Sequence, residues 1–163
     1  MQTLVHGVAP ARARAATARL WIAATLLFAY LVLVMFVLFW PIPIDRGYQG
    51  TIAHVLGALH ARGLSSWFGY SALEFTANVV MFVPLAFLVA LLFPLSLWWG
   101  PFVICVSFSI SSELIQAVAL PQRFGTVNDV IANGLGAAVG CLLALGLGRL
   151  FGRRFADPET ANA

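Results

Sequence analysis

The chain has 163 residues, of which 61% are hydrophobic and only 9% charged. Soluble domains carry about a quarter of their residues as charges, so this chain has too little polar surface to face water. It reads as one all-α integral membrane domain. The net charge of +3 comes from nine basic residues, all Arg. Arg12, Arg14, Arg19, Arg149, Arg153 and Arg154 flank apolar runs, where they serve as topology signals and phosphate contacts. Membrane lipids are therefore expected partners, and nucleic acid is not.

Four runs approach the roughly 20 apolar residues that cross a bilayer. The first, Leu20–Trp40, contains no charge. It is longer than the roughly 7–15 residues of a signal-peptide core, and Pro41-Ile42-Pro43 offers no small-residue cleavage site, so it is expected to be a retained span. The segment from Pro41 to Ser71 follows. Within it Ile52, Val55, Leu56 and Leu59 recur at helical spacing, and Gly63 is a plausible stop. A short helix lying on the membrane surface is expected there, followed by the belt aromatics Trp67, Phe68 and Tyr70. Trp21, Trp40, Trp98 and Trp99 suit the same role. His54 and His60 are six positions apart, do not share a helix face, and make a poor metal pair.

The remaining runs are Glu74–Phe93, which contains Pro84, then Leu97–Ala119 and Val127–Leu150. Short connections at Pro94–Ser96 and Pro121–Thr126 make them a compact antiparallel unit. Cys105 and Cys141 lie inside apolar runs and read as small buried hydrophobes. The expected organisation is a cytoplasmic N-terminal segment 1–19, a four-helix transmembrane domain 20–151 and a cytoplasmic tail 152–163. Four spans put both termini on one side, which carries six Arg against three (Arg46, Arg62, Arg123) in the opposite loops. The positive-inside rule places that side in the cytoplasm of a multi-pass plasma-membrane protein.

Polar residues interrupt the last three spans. Counted from the cytoplasmic end at about 1.5 Å per residue, Asn78, Glu113 and Asn133 all lie roughly 22–26 Å across, in the outer third of the bilayer. Glu74, Gln116 and Asp129 form a second level about one turn further out, each on the same helix face as its neighbour. Arg123 in the following loop is placed to supply a counter-charge. In the last span Ala132, Gly136, Gly140, Ala144 and Gly148 recur every four residues, and such stripes let helices approach closely. Asp129 and Asn133 continue that stripe.

Amides in membrane helices often serve only as interhelical hydrogen-bond partners, a role open to Asn78, Asn133 and Gln116. Carboxylates are harder to assign that way, since an amide would meet a structural need at lower cost. Glu113 is the strongest functional candidate, ahead of Glu74 and Asp129. The three acids could hold a divalent cation through oxygen, yet the spans offer no His, so no metal site is expected. No P-loop, Rossmann glycine pattern, HExxH or Ser/His/Asp arrangement is present, and no cofactor is expected.

At these residues the chain resembles the VanZ-like family of small bacterial membrane proteins. Three blocks carry the match: Glu74 to Asn78 running into Pro84-Leu-Ala86, then Ser111-Ser-Glu113-Leu-Ile-Gln116, and Arg123 through Asp129 and Asn133 to Gly136, closing at Gly140. Together they span about residues 70–145. Ala86 stands where the family commonly has Gly, and Thr126 where an acid is frequent. The resemblance implies a multi-span protein of the bacterial plasma membrane with an envelope-related role; the family's namesake is linked to teicoplanin resistance.

The leading functional expectation is a non-catalytic envelope module. Its outward-facing polar pocket, built from Glu113, Glu74, Asp129, Arg123, Asn78, Asn133 and Gln116, would bind a lipid-linked or cell-wall-related ligand. The alternatives are an intramembrane enzyme using paired carboxylates as acid and base, and a proton-coupled transporter. The transporter lacks a polar path below the cluster beyond Ser107 and Ser109.

Overall fold

The computed structural model describes residues 8–40, 46–120 and 126–150. Arg123, Arg153 and Arg154 lie outside that set. The described residues are all-α: α1 Val8–Phe39, α2 Gln49–Ala61, α3 Tyr70–Ala90, a single 3₁₀ turn Leu95–Leu97, α4 Gly100–Ala119 and α5 Val127–Leu150. Four of these helices contain spans long and apolar enough to cross a membrane: Ala16–Phe39, Tyr70–Ala90, Gly100–Ala119 and Val127–Leu150.

Three boundaries differ from the apolar runs for local reasons. α1 begins at Val8 rather than at the first apolar residue, because alternating Ala and Arg are strong helix formers and Pro10 falls in the first turn, where its missing N–H is no loss. α3 opens at Tyr70 and closes at Ala90, leaving Leu91 and Leu92 in the turn that leads to the 3₁₀ segment. α4 opens at Gly100 with Pro101 in its first positions.

α2 ends as the sequence suggests. Gly63 has φ of 102°, the left-handed conformation that a residue lacking Cβ adopts at least cost. The Gly63 N–H donates to the His60 carbonyl and the Leu64 N–H to the Leu59 carbonyl, a Schellman closure. His60 Nε2 lies 3.1 Å from the Phe68 carbonyl oxygen, pinning the corner that leads into α3. No residue of α2 is buried, so the helix stands apart from the bundle, at the end where α1 finishes and α3 starts. Trp40 and Trp67 are exposed at that end, and Trp21, Trp98 and Trp99 at the other, matching two interfacial belts.

α5 is the central helix. It packs most extensively against α3 and next against α4, while α1 joins through α3 and, more lightly, α4. Residues Ala132, Asn133, Gly136, Ala137, Gly140, Cys141, Ala144 and Gly148 of α5 are buried, so the small-residue stripe is the packed face. A Cβ on Gly136 would run into the Val79 carbonyl oxygen and come within 2.9 Å of the Phe82 Cβ. One on Gly140 would run into the Val83 carbonyl oxygen and lie 2.9 Å from the Phe87 nitrogen. The contacts advance together, Val79 to Val83 against Gly136 to Gly140, so α3 and α5 run parallel with their backbones touching.

The core beside this seam consists of Phe82, Leu85, Ala86, Val89, Cys105, Ala137 and Cys141. Phe82 and Phe108 stack at 6.2 Å between centroids. Pro84 inside α3 removes the N–H that would have served the Val80 carbonyl, and the next residue's carbonyl, Met81 O, accepts from Tyr30 Oη of α1 at 2.9 Å. Outward from this core most large apolar side chains are exposed, which suits a lipid surround.

Gly136→Ala and Gly140→Ala should each cost about 1–3 kcal/mol by forcing α3 and α5 apart. Gly146→Ala should be neutral or up to about 1 kcal/mol stabilising, since nothing lies within 4 Å of its Cβ position. Thermal unfolding in detergent micelles, followed by circular dichroism, separates the two classes.

Candidate functional site

The polar residues gather at the end of the bundle where α3 and α5 begin and α4 ends. Asp129 is the most heavily used. Thr126 precedes α5, and Thr126-x-x-Asp129 is a capping box with Asp in place of Glu. Asp129 Oδ2 accepts from the Thr126 N–H at 3.1 Å and from Thr126 Oγ1 at 2.8 Å. The Asp129 N–H reaches Thr126 Oγ1 at 3.3 Å. The carboxylate also sits at the positive end of the α5 dipole. Its second oxygen, Oδ1, accepts from Asn78 Nδ2 of α3 at 2.7 Å. One side chain thus caps α5 and joins it to α3.

The other amides also join helices. Asn133 Nδ2 donates to Ser109 Oγ at 2.9 Å, linking α5 to α4. Gln116 Nε2 donates to the Leu38 carbonyl at 2.8 Å, linking α4 to α1. That carbonyl belongs to the last turn of α1, where carbonyls lack intrahelical donors. Asn78, Asn133 and Gln116 therefore each make the interhelical bond open to them from the sequence.

Helix direction explains which partner each chooses. Cα–Cβ bonds tilt towards the helix N-terminus, and the N-termini of α3 and α5 lie at the polar end. Asn78 stands beside the Val79–Gly136 contact, near the level of Asn133, yet its side chain leans towards the helix start and finds Asp129. α4 runs the opposite way, so Glu113 leans back over the turn that carries Ser109. Glu113 is half-buried, and its Oε2 has no solvent contact. Glu74, one turn before Asn78 on α3, is exposed. Arg123, the expected counter-charge, lies outside the described residues, and among those residues no group of three His, Cys, Asp or Glu forms a metal-ligand set.

Asn133 has an atom left over. The residue is only 1% exposed, and its Oδ1 is buried without a hydrogen-bond partner among the described residues. An interhelical hydrogen bond in a membrane protein averages about 0.6 kcal/mol, with about 1.7 the largest measured in double-mutant cycles. A buried polar atom left unsatisfied costs about 1–3 kcal/mol. The bond to Ser109 therefore does not offset the orphan oxygen, and joining helices is not by itself a sufficient reason for an amide here.

Two participants carry little sequence signal as site residues. Ser109 is wholly buried and stands four residues before Glu113, a spacing that shares a helix face; only the α5 neighbour reveals that it accepts from Asn133. For Thr126 the Thr-x-x-Asp interval marks a helix cap and nothing more.

Residues 27–151 match the family model described as VanZ/LLP1, so the match takes in the polar end and all four spans apart from the start of α1. Comparison with curated proteins finds no match, nor does comparison with solved structures.

Asp129→Ala should destabilise the bundle by about 1–3 kcal/mol, since it removes both the cap and the link to α3. Thr126→Ala should cost about 1 kcal/mol. Because the two residues bond each other, the double variant should fall short of the sum by about 0.5 kcal/mol or more. A double-mutant cycle from denaturant unfolding in micelles measures that coupling.

Proposed function

The chain belongs to the VanZ/LLP1 family, and on that premise we propose that this multi-pass membrane protein is an envelope module of the bacterial plasma membrane. Its polar end faces outward and binds a lipid-linked or cell-wall-related ligand. Glu113 is the residue at the centre of this role. Three amide bonds, Asn78 to Asp129, Asn133 to Ser109 and Gln116 to the Leu38 carbonyl, hold the four spans around the place where it sits. A carboxylate within a span costs about 2.5–3.5 kcal/mol by insertion scales, and Gln at position 113 would span the same distance at lower cost. The ties account for the amides and for Asp129, and an acid where an amide would cost less supports a ligand role for Glu113. Glu74, exposed one turn before Asn78, and Arg123 of the α4–α5 connection complete the proposed recognition surface.

In a deletion strain, Glu113→Gln should accumulate in the membrane at the wild-type level, yet fail to restore the deletion phenotype. Asn78→Ala should lower accumulation, because it breaks a helix tie. Loss of the Glu113→Gln protein from the membrane would assign Glu113 to structure instead.

The same reading places both termini in the cytoplasm, on the side with six Arg. A fluorescent-protein fusion at the C-terminus should be bright and an alkaline-phosphatase fusion at the same point inactive. The opposite pattern would turn the polar end inward.

A further inference from the structure

We propose that the group this pocket receives is a hydrogen-bond donor, a hydroxyl or an ammonium, seated on Asn133 Oδ1 in the seam between α4 and α5. The inference rests on the ligand-pocket reading above and adds the chemistry of what enters. Asn133 is 1% exposed and its Oδ1 is buried without a partner among the described residues. Its Nδ2 is committed to Ser109 Oγ at 2.9 Å, which fixes the amide plane in the seam, with Oδ1 only one amide width from that bond.

A buried acceptor in this state calls for a donor that the protein itself does not bring, and lipid tails have none to give. The surrounding groups point the same way. Asn78 Nδ2, Gln116 Nε2 and Thr126 Oγ1 already donate elsewhere, and Glu113 shares the α4 face of Ser109, with its Oε2 out of solvent contact. An anionic group at this depth would meet the Asn133 carbonyl oxygen, an acceptor like itself. A hydroxyl or ammonium would meet an acceptor.

Purified protein in maltoside micelles can be titrated with three amphiphiles of one chain length: dodecylamine, dodecanol and dodecyl phosphate. The thermal midpoint should rise with the amine, the alcohol or both, and not with the phosphate. The rise should vanish in Asn133→Leu and persist in Asn133→Asp, which keeps an oxygen at the site. A response to amine alone identifies an ammonium, and a response to both identifies donors generally.

Asn133→Asp guards against a leucine variant that does not fold: its charge should tighten the amine about five- to tenfold. A rise with phosphate alone that disappears in Asn133→Leu would keep the pocket and overturn the donor assignment. A rise unchanged in both Asn133 variants would also overturn it. If no amphiphile acts and Glu113→Gln complements fully, the pocket reading itself falls.

Discussion

The contact on which the rest of the structure depends is the one between the α3 backbone and two glycines of α5. With Gly136 against the Val79 carbonyl and Gly140 against the Val83 carbonyl, no side chain separates the two helices. Lipid tails are as apolar as leucine, so helices in a bilayer gain little from hiding hydrocarbon and associate mainly through close packing and polar contacts. The glycine seam supplies that packing. It also fixes the register of α3 against α5, which decides that Asn78 comes within reach of Asp129. The core around Phe82 and Ala137 forms on its flank.

Above the seam the polar residues divide into two groups. Asn78, Asp129, Thr126, Gln116 and Ser109 are engaged in bonds that cap α5 or join one helix to another. Asn133 Oδ1 is buried without a hydrogen-bond partner among the described residues, and Glu113 is half-buried one turn beyond Ser109 on α4. A rigid frame of ties around a small set of costly groups is the arrangement expected of a binding site, because the frame holds the groups in place when no ligand is present. It also explains why residues with similar chemistry at similar depth have different roles: Asp129 stands at a helix start, where backbone N–H groups need an acceptor, while Glu113 stands mid-helix, where they do not.

α1 and α2 have a different relation to the bundle. α1 packs Ala23, Val34 and Leu38 inward, is tied by two side-chain bonds to backbone carbonyls, Tyr30 to Met81 and Gln116 to Leu38, and leaves much of its surface exposed. α2 has no buried residue and is held near the start of α3 by the His60–Phe68 corner. The compact unit is therefore α3, α4 and α5, while the VanZ/LLP1 match, residues 27–151, takes in α2 and much of α1 as well.

Much of this was legible in the sequence because it depends on quantities a linear chain carries. Span length and apolar content follow from bilayer thickness. The buried face of α5 follows from small residues at four-residue spacing, and the end of α2 from Gly63. Counting along the helices also placed the polar residues at one end. Depth is a one-dimensional quantity, but partnership is not. That Asn78 bonds Asp129 rather than Asn133, that Asn133 bonds Ser109, and that Gln116 reaches the end of α1 depend on helix direction, side-chain tilt and the register set by the glycine seam. A one-turn difference in the α3–α5 register would take Asn78 away from Asp129 while leaving the apolar pattern untouched. For that reason the chain by itself determined where its costly groups lie, and only the packed structure decided which of them are spent on holding the helices together.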